Sequence, residues 1–117
     1  MSALIAYNIS RADMLRSGWP SMTFYINLTP NAADDLDYFD AYEQRSIMAA
    51  VHTFLVRDAH IPTKRRKQLE SNPIASWELK KDKYRIFYDI IDDTVDILAI
   101  GYKDHNDLFI RGRKVSI

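Results

Sequence analysis

The chain has 117 residues, of which 47% are hydrophobic and 27% charged, with sixteen basic and sixteen acidic side chains and no cysteine. That composition suits one globular domain and excludes a disordered chain, while the missing cysteines exclude disulfides, thiolate catalysis and cysteine-based zinc sites and fit a reducing cytosol. No apolar run reaches the roughly 18 residues of a membrane span, so no membrane partner is expected, and the location expected is cytoplasmic.

The charge is unevenly spread. Residues 22–62 carry two basic and six acidic side chains, and residues 63–117 carry twelve and nine. The basic half reads either as a mixed solvated surface or as a local phosphate-binding one.

Residues 1–21 show neither helical nor strand periodicity, and Gly18-Trp19-Pro20-Ser21 breaks the chain before Met22. They are expected to stand outside the domain of residues 22–117, either as an extension upstream of a start at Met22 or as a tail docked through its apolar residues. Met22–Leu28 alternates Phe24, Ile26 and Leu28 with polar or amphipathic neighbours, which predicts a strand. Thr29 and Pro30 then stand as N-cap and first residue of a helix, with Asp34 and Asp35 in its early turns and Leu36 and Phe39 on its buried face. Asp40 and Glu43 form a capping box for a second helix, whose apolar face is Ile47, Val51, Phe54 and Leu55.

Periodicity stops from Asp58 to Ser76, where Lys64-Arg65-Arg66-Lys67 is either a solvated turn or a phosphate-contacting patch. Three antiparallel strands follow, at Trp77–Lys80, Tyr84–Ile91 and Thr94–Gly101. The middle one is apolar on both faces, which places it centrally, and Arg85 emerges from it in mid-sheet. Such an arginine pairs with a carboxylate, Asp89 or Glu78 here, or with a ligand. Asn106 is placed to cap a short helical turn ending at Gly112. His52 and His60, eight residues apart without an acidic cluster, read as surface or packed residues, and no metal or cofactor is expected.

The order β-α-α-β-β-β, with Trp77-Glu-Leu-Lys80, Tyr84-Arg85-x-x-Tyr88 and the Gly101 that ends the last strand before a basic residue, resembles the RelE/ParE toxin superfamily of bacterial toxin–antitoxin systems. The resemblance covers about residues 22–111. It implies an α+β fold: a small twisted, antiparallel-rich sheet with an N-terminal strand, a two-helix hairpin on one face and three C-terminal strands. It also implies an antitoxin partner, which covers the groove or displaces the C-terminal segment. RelE-like members cut mRNA on the ribosome; ParE-like members poison DNA gyrase.

In the nuclease branch the strand arginine falls on Arg85 and the basic residue after the glycine on Lys103. The C-terminal tyrosine falls on Phe109, which cannot donate a proton, and two strand lysines fall on Ser76 and Glu78. His105-Asn-Asp-Leu-Phe109 resembles the end of YafQ-type toxins, which implies that His105 is a general acid or base. The resulting expectation is a metal-independent endoribonuclease with Arg85, His105 and Lys103 catalytic and Lys80, Lys81, Phe109 and Arg111 binding substrate. The rivals are a gyrase poison and a degenerate member that only binds a partner protein.

Overall fold

The elements run β1 (Tyr25–Leu28), α1 (Pro30–Asp37), α2 (Ala41–Leu55), β2 (Arg66–Gln68), β3 (Trp77–Lys81), β4 (Tyr84–Ile91), β5 (Thr94–Asp104), β6 (Asp107–Ile110) and β7 (Arg113–Val115). The computed structural model describes residues 21–117; the expectation for the N-terminal extension falls outside that range.

Both helices start as their sequences dictate. The Thr29 hydroxyl accepts from Ala32 N at 3.3 Å and donates to Ile97 O at 2.7 Å, with Pro30 following as the first helical residue. Asp40 accepts from Glu43 N at 2.8 Å, and Glu43 reaches back to Asp40 N to close the capping box. The buried stripe Ile47, Val51 and Leu55 then lies against Leu79, Ile86, Tyr88, Val95, Ile97 and Ile100.

The sheet order is β2-β3-β4-β5-β6-β7, antiparallel throughout, with β1 added parallel to β5. Strand β4 is central, as its two apolar faces require. Its Tyr84, Ile86 and Tyr88 enter the helix-side core, and Phe87 enters a second, smaller cluster on the other face with Ala75, Ala99 and Leu108.

The tail corrects the expected helical turn. Residues 106–112 form the β5–β6 turn, strand β6 and the start of a second tight hairpin, so five antiparallel strands follow one another where three were expected. The period is two: Leu108 and Ile110 join the smaller cluster while Phe109 faces the helix side. Arg111 and Gly112 (φ 50° and 75°) close the β6–β7 hairpin. The patternless stretch also contains a strand, β2, and Arg66 leaves the basic run to turn inward. Its Nε donates to Ile61 O at 2.8 Å and its Nη1 to Phe54 O at 2.9 Å.

Asp35 is the second correction. It lies beyond the first turn of α1 and is 2% exposed. One edge of β5 is shared, with β1 taking Thr94–Ile97 and β6 taking Tyr102–Asp104. Asp35 fills the gap between them. Its Oδ2 accepts from Ile100 N at 3.0 Å, and its Oδ1 lies 2.7 Å from Arg111 Nε. One carboxylate thus ties α1, the middle of β5 and the last hairpin together.

Candidate functional site

Side-chain alternation sets the chemistry of the face opposite the helices. Arg85 lies directly opposite Lys80 on β3 and Gly101 on β5. Glu78 and Lys103 are its diagonal neighbours, positions that stand about 7–8 Å apart in a paired sheet. Lys67 lies opposite Glu78 on β2. Glu78, Lys103 and Lys67 line an open groove of about 700 Å³, walled by residues 68–72 and Ile117. The groove continues past Leu108 and Val115.

Its wall is preorganised by Asn72. The side-chain amide donates to Glu70 O and Ala75 O, both at 2.8 Å, while Oδ1 accepts from Ile74 N and Ala75 N. Leu69 and Ile74 then pack onto the smaller cluster and cover the far half of the sheet face. The half toward the β3–β4 turn is left to the cations.

Arg85 is 8% exposed, and its Nη1 donates to Asp82 O at 2.8 Å and Tyr84 O at 2.9 Å. Neither carboxylate expected as its partner is paired with it. Asp89 accepts instead from Ser76 N at 2.6 Å, and Glu78 makes no ion pair among the described residues. Lys80 directly opposite Arg85 is a like-charge pair of the kind that costs a sheet stability. An anion bound between the two would remove that cost.

Of the residues expected at the site, Arg85, Lys80 and Lys103 therefore come together. The others do not. Lys81 shares the face of Tyr84 and pairs with Asp82 at 3.4 Å. Phe109 lies on the helix side, stacked on Tyr102 with ring centroids 5.5 Å apart. Arg111 is the partner of Asp35.

His105 lies four residues along β5 from the Gly101 that pairs with Arg85, about 13 Å by strand rise. Its side chain is 92% exposed, with Nδ1 2.9 Å from Asp104 Oδ1. Its φ of 57° matches those of Asp82 (53°), Asp92 (54°) and Arg111 (50°), each the first residue of a two-residue hairpin turn. Histidine and aspartate enter this left-handed region more readily than most residues. The turn accounts for the backbone conformation of this histidine. His52 is exposed, and His60 is buried edge-on to Phe24.

The tyrosines of the core offer no proton chemistry to the groove. Burial, and then a hydrogen bond to Glu43 at 2.9 Å, push the Tyr84 hydroxyl up to about 12. Burial also raises Tyr88, whose hydroxyl donates to Ala59 O at 2.8 Å. Among the described residues no three His, Asp or Glu side chains converge as a metal site would.

A family profile described as the ParE toxin of the type II toxin–antitoxin system parDE matches residues 26–106. The chain belongs to this toxin family, within the RelE/ParE superfamily. A chain of the toxin–antitoxin complex RelBE2 from Mycobacterium tuberculosis has the same fold. It matches with a TM-score of 0.61 at 19% identity, covering 70% of this chain and 93% of its own. No curated protein matches the sequence. The matched span of the toxin contains Glu78, Lys80, Arg85 and Lys103 and stops before β6, so the strands that carry Phe109 and Arg111 lie outside it.

Glu78 is the site residue that the sequence undervalues, since there it stands as a candidate partner of Arg85 and as a departure from a lysine, and not as a group with chemistry of its own. The signal that finds it is alternation: Glu78, Lys80 and Arg85 share a face once β3 and β4 are paired.

Proposed function

We propose that this toxin is an endoribonuclease that cuts mRNA on the ribosome, in the cytoplasm, and that an antitoxin silences it by covering the groove. The observation that carries the reading is the gathering of Lys80, Arg85 and Lys103 on one face with a half-buried Glu78 that makes no ion pair among the described residues. Glu78 takes the proton of the RNA 2′-OH. The freed oxygen attacks the adjacent phosphorus, forming a 2′,3′-cyclic phosphate as the bond to the 5′-oxygen breaks. Arg85 and Lys80 hold the charge on the phosphate oxygens, and Lys103 protonates the departing 5′-oxygen. His105 acts through the conformation of its turn. This route needs no metal.

Induced expression in a bacterial host, followed by mapping of mRNA ends, tests the reading. Codon-phased cuts are expected, and Glu78→Gln and Arg85→Ala should each reduce them by about 100-fold or more. His105→Asn, which keeps a residue suited to the turn, should retain them; their loss would return His105 to the mechanism.

A second reading, a poison of DNA gyrase that acts by binding, is favoured by the covered guanidinium of Arg85, whose Nη1 is already spent on two carbonyls. Intact mRNA together with inhibited supercoiling would establish it in place of the first.

A further inference from the structure

The cation pair Lys80–Arg85 does not end at β3. Lys80 N donates to Arg65 O at 2.8 Å, so the Arg65 backbone lies beside Lys80 on the outer side of β3, and its guanidinium turns over the sheet edge to the Phe54 ring. With Lys64, Arg65 and Lys80 line a separate open cleft of about 370 Å³ at the β2 edge. The one acid on its rim, Asp82, is paired with Lys81 at 3.4 Å.

The cleft is held in shape. Thr63 Oγ1 accepts from Arg65 N at 3.2 Å and Arg66 N at 3.1 Å. The Arg65 guanidinium carbon lies 4.9 Å from the centre of the Phe54 ring, and Arg66 is anchored to α2 through Phe54 O. Lys64, Arg65 and Lys80 are exposed and make no ion pair among the described residues. Cations in adjacent positions repel one another in the empty protein and are relieved by a polyanion laid across them.

We infer that the β2-edge cleft of Lys64, Arg65 and Lys80 is a second phosphate-binding subsite, which grips the backbone of single-stranded RNA where it leaves the open-face groove. The inference rests on the reading of that face as an RNA groove. Lys80 joins the two, since it faces Arg85 on one side and lines the cleft on the other. The subsite contacts backbone and not bases, so it adds affinity without choosing sequence.

The test is binding of a 2′-O-methyl oligoribonucleotide, which has no 2′-OH to react, followed by fluorescence anisotropy across a salt series. Lys64→Ala/Arg65→Ala should bind about tenfold more weakly at low salt and lose about 1.4 from the slope of log affinity against log salt. Without RNA the double variant should stay folded and melt only slightly below the parent protein, since it loses the contact of Arg65 with Phe54. Unchanged affinity and slope would overturn the subsite, as would tighter binding of duplex DNA than of RNA by the parent. A loss of binding in the variant while the parent cuts no RNA in cells would uphold the subsite and dispose of the nuclease chemistry separately.

Discussion

Asp35 shows what one buried carboxylate does in a small sheet. Strand β5 cannot be hydrogen-bonded along its whole outer edge by β1 and β6, and Asp35 supplies the missing acceptor for Ile100 N. Arg111, half exposed, balances its charge. Arg111→Ala leaves that carboxylate buried without its cation and should cost roughly 1–3 kcal/mol in chemical denaturation. Combining it with Asp35→Asn, which keeps an acceptor but no charge, should cost less than the sum of the single changes. Tyr84 sets a limit at high pH. Its folded-state value near 12 lies above the ordinary value of 10, so its contribution is intact below pH 10 and is lost as pH rises toward 12. Tyr88 is shifted in the same direction. Stability should therefore fall from about pH 10 upward, and Tyr84→Phe should flatten that fall in alkaline denaturation curves. At this scale the sequence reveals that Arg85 is unusual. It does not reveal that the partners are the carbonyls of Asp82 and Tyr84, because any residue supplies a carbonyl and only the turn brings these two within reach.

At the scale of elements, the helices and the β3–β5 meander are legible because each carries a local rule: a cap, a stripe or an alternation. Strands β6 and β7 are hard to read because they are 4 and 3 residues long, and the charged residues around them mask a short alternation. Their placement depends on Gly101. A Cβ there would collide with the carbonyl oxygen of Phe109 and press on Ile110. Gly101→Ala should therefore push β6 off β5 at a cost of about 2–3 kcal/mol. Hydrogen exchange should then speed up in the amides of β6 and β7 and leave those of β3 and β4 protected. Equal acceleration across the whole sheet would mean that the last hairpin is not a separable unit.

For the whole molecule, a net charge of zero conceals a division of labour. The helix side uses its charges on structure, as in Asp35 with Arg111 and Lys83 with Glu43, 3.4 Å apart. The open face leaves Lys80, Arg85 and Lys103 without a carboxylate partner among the described residues. Composition alone cannot show this, because strand pairing decides which charges meet. It is also why the site read from the sequence divides, with Arg85, Lys80 and Lys103 on one face and Lys81, Phe109 and Arg111 on the other. The most direct test of the central claim maps mRNA ends after induction of the parent protein and of Glu78→Gln at equal expression. Codon-phased cuts in the parent, reduced by about 100-fold or more in the variant, are the expected result. Intact mRNA in both, or cuts that persist unchanged in Glu78→Gln, would contradict it.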